Sequence, residues 1–77
     1  MILAVDVDQL AAAIFAEAER HPARSPERRA ACHAWSALIT SPTVSAALKA
    51  IGTFGDPETQ QAAAEVLHRV ASERTRA

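Results

Sequence analysis

Three helix-start signals of one kind divide this chain and leave little room for any fold but a helical one. They are Ser25-Pro26-Glu27, Ser41-Pro42-Thr43 and Asp56-Pro57-Glu58. In each, a short oxygen-bearing side chain can accept a hydrogen bond from an orphan N–H of the first turn. The proline that follows lacks an N–H that would be orphaned anyway, and its fixed φ suits the first helical position. Asp6 or Asp8 supplies a fourth start, with Gln9 at capping-box spacing from Asp6. The expected architecture is all-α: a compact bundle of four short helices in a single domain, 1–77.

The stripes of apolar residues place the core. Val7, Leu10, Ala11, Ile14 and Ala18 recur at helical spacing, and Phe15 widens that stripe. Pro22 ends the first helix near Arg20, because a residue before proline avoids the α region. A second helix is expected over 26–40, with Cys32, Trp35 and Ile39 in one line beside Ala31 and Leu38. A third begins at once, capped by Ser41, so helices 2 and 3 meet at a sharp corner. Val44, Ala47, Leu48 and Ile51 form its stripe, and Gly52 is the natural left-handed residue to end it. The fourth runs from Pro57 to about Ser72 on Ala63, Val66, Leu67 and Val70. Glu65 and Arg69 stand at i,i+4 on its outer face, where they are expected to pair. Residues 1–5 read as an apolar leader and 73–77 as a frayed tail.

The core this predicts is thin. Nineteen of 77 residues are alanine, and only Phe15, Trp35 and Phe54 are aromatic. Alanine favours the helix but buries little apolar area. A chain this short buries only about 60% of its unfolded surface. Such scaffolds are commonly stapled by disulfides, a metal or a partner. Cys32 is the only cysteine, so no disulfide forms within the chain. Self-association or docking on another protein is the expected source of further burial.

Charge and hydropathy narrow the function classes. Net charge is −1, against the strong basic excess of a general nucleic-acid or anionic-membrane binder. Seven arginines to one lysine, with abundant alanine, resemble the output of a GC-rich bacterial genome. Met1–Val5 is too short, and lacks the positive start, for a secretory signal. Residues 34–55 carry one charge, Lys49, but Pro42 and its polar neighbours break any spanning helix. No membrane partner and a cytoplasmic location are expected.

Two resemblances touch parts of the chain. A shift of thirty-one residues overlays Ser25-Pro26-Glu27 on Asp56-Pro57-Glu58, Ala31 on Ala62, Trp35 on Val66 and Ile39 on Val70. This resembles the spacing of short HEAT-like repeats over about 25–71, and implies a protein-binding scaffold. It breaks where Ser36 meets Leu67 and Leu38 meets Arg69. Separately, Ser41-Pro42-Thr43-Val44-Ser45-Ala46-Ala47-Leu48 resembles the recognition helix of lactose-repressor-type helix-turn-helix domains. That resemblance implies a DNA-binding regulator using helix 42–51. Ala46, however, stands where that family usually carries arginine.

Reactive residues do not converge. Cys32 and His33 are adjacent and so point about 100° apart on a helix; Cys32 reads as an inert core thiol. His21 reads as a helix-end residue held by Glu17, and His33 and His68 as solvent-edge residues. No pair has zinc-ligand spacing, so no metal, cofactor or enzymatic role is expected. Asp6, Asp8, Glu27, Asp56 and Glu58 are accounted for by helix starts. Arg24, Arg28 and Arg29 cluster near the start of helix 2, where the dipole disfavours cations. They read either as an anion site or as a solvated face paired with Glu17 and Glu19. The expected function is a non-catalytic protein–protein interaction module, a homodimer or an adaptor. Its contact candidates are Phe54, Trp35, Arg24, Arg28 and Arg29. Phe54 has the stronger claim to exposure, and its replacement by alanine is expected to weaken binding with little change in fold.

Overall fold

A computed structural model describes residues 6–76, with the side chains of 75 and 76 left aside. Four helices follow one another: α1 (Val7–Glu19), α2 (Pro26–Ile39), α3 (Val44–Ile51) and α4 (Pro57–Arg76). The chain is an all-α bundle. α2 lies at its centre and packs on each of the other three. The leader at 1–5 falls outside the described residues.

The caps follow the sequence signals at three helices and depart from them at one. Asp6 accepts from the Asp8 N–H at 2.9 Å, and Ser25 Oγ from the Arg28 N–H at 3.1 Å. Asp56 Oδ2 accepts from the Thr59 N–H at 3.0 Å. At α3 the cap is Thr43, whose Oγ1 accepts from the Ala46 N–H at 3.0 Å. Ser41 lies too early to serve: the first helical residue is Val44, and the Ser41 N–H still closes the end of α2 on the Leu38 carbonyl at 3.2 Å. Thr40–Thr43 therefore form a short connection between α2 and α3, where an immediate junction is expected from the sequence.

Two ends are also corrected. Gly52 has φ −80°, so α3 closes without a left-handed residue. The left-handed glycine is Gly55, at φ 80°, in the loop beyond. Arg24 also has a positive φ, 73°, just ahead of the α2 cap; a non-glycine there costs of order 1 kcal/mol. The expected frayed tail is helical through Arg76. Nothing after Pro57 is a proline or glycine, so no stop signal interrupts α4. Glu73 adds an i,i+4 ion pair with Arg69 at 3.9 Å.

The core is built from few large side chains. Leu10, Ile14, Leu38, Ile51 and Leu67 are the largest that are fully buried, and alanines fill the space between them. On α2 the buried face is Ala30, Ala31, Ala34, Ala37 and Leu38, with His33. At 100° per residue, Cys32 and Ile39 lie nearly opposite Ala30 and Ala37. Small residues thus make up most of the face toward the neighbouring helices and allow close approach, and Cys32 and Ile39 are turned outward. Cys32 is exposed, not the core thiol its stripe suggested. Ile39 is 54% exposed.

Candidate functional site

Turning α2 outward assembles an apolar face that the sequence stripe had assigned to the core. Phe15 on α1 meets Trp35 on α2, ring centroids 5.7 Å apart and planes tilted by 49°. Trp35 stays half-buried and packs on the core edge, while Phe15 is 47% exposed. Ile39 follows Trp35 by one helical turn, and Cys32 precedes it by three residues on the same flank. Phe15, Trp35, Cys32 and Ile39 therefore form one band across α1 and α2. Large apolar side chains grouped in this way mark interaction surfaces more often than single exposed ones do.

Phe54, the favoured contact candidate, has a local occupation. It is 41% exposed, but one face of its ring stacks on His33 at a centroid distance of 4.0 Å and an angle of 11°. His33 is buried, not a solvent-edge residue. Its Nε2 donates to the Ile51 carbonyl at 3.0 Å. A carbonyl only accepts, so the proton is on Nε2. Gln60 Nε2 donates to the Phe54 and Gly55 carbonyls at 2.9 and 3.1 Å. Phe54 is thus a strut of the α3–α4 loop with its other face open.

The arginine candidates do not converge on one point. The Arg28 guanidinium donates to the His21 carbonyl at 3.3 Å, stitching the end of α1 to the start of α2. Arg29 faces Asp56, the α4 cap, whose carboxyl is held low chiefly by hydrogen bonds from Thr59 and further by the Arg29 charge. Arg24 is exposed in the left-handed turn. All three lie near the start of α2, whereas α3 begins beyond its far end, about 20 Å along the helix axis.

On the opposite flank of α2 a groove of about 430 Å³ opens between α1, α2 and α4. Its floor includes Pro26, Ala30, Ala62 and Val66, and its walls carry Glu17, Glu27, Glu65, His21 and Arg69. Glu17, only 11% exposed at its side chain, is the hub. It accepts from Arg69 at 3.0 Å, and from Arg20 and His21 at 3.3 Å each. Burial alone would push its carboxyl up. Hydrogen bonds from Arg69 and His21, then the charges of Arg69 and Arg20, more than offset this and hold it below the usual glutamate range. The expected Glu65–Arg69 pair is replaced: Arg69 reaches across to Glu17 and along the helix to Glu73.

No family model, curated protein or solved structure matches this chain. Any functional reading therefore rests on the molecule's own surfaces. Among the described residues no helix is long and apolar enough to cross a membrane.

Proposed function

We propose that this chain is a non-catalytic protein–protein interaction module that pairs with a second copy of itself through the Phe15–Trp35–Ile39 face. The carrying observation is that the three largest partly exposed apolar side chains on α1 and α2 form one band instead of being scattered. A band of neutral apolar groups is self-complementary, which is what a two-fold contact requires. An alanine-filled core with few large side chains gives this chain a reason to gain burial between copies.

The test is sedimentation or light scattering across a dilution series, for the parent and for Ile39→Asp. The parent is expected to dimerise and the variant to remain monomeric with unchanged helicity. The exposed position of Ile39 makes the substitution safe for the fold, whereas an aspartate in a closed apolar interface would lack a partner. A parent that stays monomeric at high concentration, or an Ile39→Asp variant that dimerises equally well, would overturn the proposal.

A further inference from the structure

We infer that the groove between α1, α2 and α4 is a second docking site, which takes a basic amphipathic helical segment from another protein. It is independent of the self-contact, since it lies on the opposite flank of α2. The key is the use made of Arg69. By spacing, Arg69 can serve Glu65 or Glu73 on its own helix. It takes Glu73 at 3.9 Å and Glu17 on α1 at 3.0 Å. Among the described residues the Glu65 side chain then has no hydrogen bond or ion pair, and neither has that of Glu27 on the facing wall.

The groove's charge is thereby resolved into two parts. Glu17 is neutralised by Arg69 and Arg20, accepts a hydrogen bond from His21, and serves as a structural tie between helices. Glu27 and Glu65 remain as an acidic rim over an apolar floor of Pro26, Ala30, Ala62 and Val66. An occupant that matches both must offer an apolar stripe with lysine or arginine beside it. A helix with apolar groups at i, i+3 or i+4, and i+7 does so, which is the helix-in-groove mode of recognition. The small alanines on the floor let a visiting side chain approach the backbone of α2 and α4. The acids on the rim set which segments enter, by attracting cations and repelling acidic sequences.

The experiment is a titration of the isotope-labelled full chain, followed by amide chemical shifts, with a short synthetic peptide of leucines at helical spacing flanked by lysines. A control peptide carries glutamate in place of lysine, and a second control is free spermidine. The expected shifts centre on Ala30, Ala62 and Val66, and binding weakens with salt. Glu27→Gln with Glu65→Gln is expected to lower affinity about tenfold or more. Both sites are exposed, so the fold is retained. Binding should persist in monomeric Ile39→Asp, which separates this site from the self-contact. The inference is overturned if shifts map to the Phe15–Trp35 face or are absent. It is equally overturned if the double variant or the acidic peptide binds as well as the parent pair, or if spermidine reproduces the shifts.

Discussion

His33 and Phe54 lie ring on ring, 4.0 Å apart and 11° from parallel, and this contact fixes the loop between α3 and α4. His33 holds the end of α3 through the Ile51 carbonyl while its ring covers one face of Phe54. One buried imidazole on the central helix therefore ties down both the end of α3 and the loop that leads into α4. The relationship makes the polar residue of the core a positioning device.

Replacing His33 by alanine is expected to cost about 2–3 kcal/mol. It removes a buried ring, leaves the Ile51 carbonyl without its donor, and frees Phe54. For a chain of this size that is a fall in Tm of about 10–20 °C, readable by circular dichroism. Phe54→Ala loses the stack alone and should cost about 1 kcal/mol. A smaller loss for His33→Ala than for Phe54→Ala would contradict the assignment of His33 as the anchor.

Gly55 tests the same contact from the other side. Its φ is 80°, and a Cβ there would stand 2.5 Å from His33 Cε1. Gly55→Ala should therefore cost about 2 kcal/mol from strain and crowding together. The crowding part depends on His33. In the His33→Ala background the same substitution should cost about 1 kcal/mol, so the two changes will not add. Additive losses in a double-mutant cycle would show that the imidazole is not what Gly55 accommodates.

Much of this fold was legible in the caps and stripes, and its departures have physical causes. Four helices follow from three oxygen–proline signals and the Asp6 cap, all of which act locally. The buried face of α2 did not follow, because a stripe read by side-chain size selects Cys32, Trp35 and Ile39. Packing on three neighbours instead selects alanines, which permit close approach. The exposed Phe15–Trp35–Ile39 band was hidden by that same choice, since an apolar stripe read by size places Phe15 and Ile39 in the core. The groove was harder still. Pairing Arg69 with Glu17 spans fifty-two residues, and only local i,i+4 partners can be read from sequence. His33 carried no signal at all, since its partner, the Ile51 carbonyl, is a backbone group.

The Glu17 hub predicts an acid limit to stability. Its carboxyl is held below the ordinary value of 4.5, because charged partners favour the ionised form. The sign follows from linkage: the stabilisation is complete above the ordinary glutamate range and is lost as pH falls through the lowered folded value. Glu17→Gln should cost about 1 kcal/mol at neutral pH, since the partners are partly exposed. It should also shallow the fall in stability below about pH 4.5. Asp56, lowered by its Thr59 hydrogen bonds, contributes in the same direction, so Asp56→Asn with Glu17→Gln should shallow it further. An unchanged acid slope in Glu17→Gln would rule out the hub as its source.

Cys32 reports directly on the proposed self-contact. It is exposed on the flank of α2 that carries Trp35 and Ile39, so pairing of two such faces brings two thiols close together. A short bismaleimide should then give a covalent dimer in high yield. Within a formed dimer the reaction is intramolecular, and its yield should hold on dilution until the dimer itself dissociates. Ile39→Asp should abolish the product, whereas Glu27→Gln with Glu65→Gln should leave it unchanged, because those acids lie across α2. A yield that falls in proportion to concentration throughout would indicate random collision. A strong product in Ile39→Asp would move the contact to a different surface that also presents Cys32.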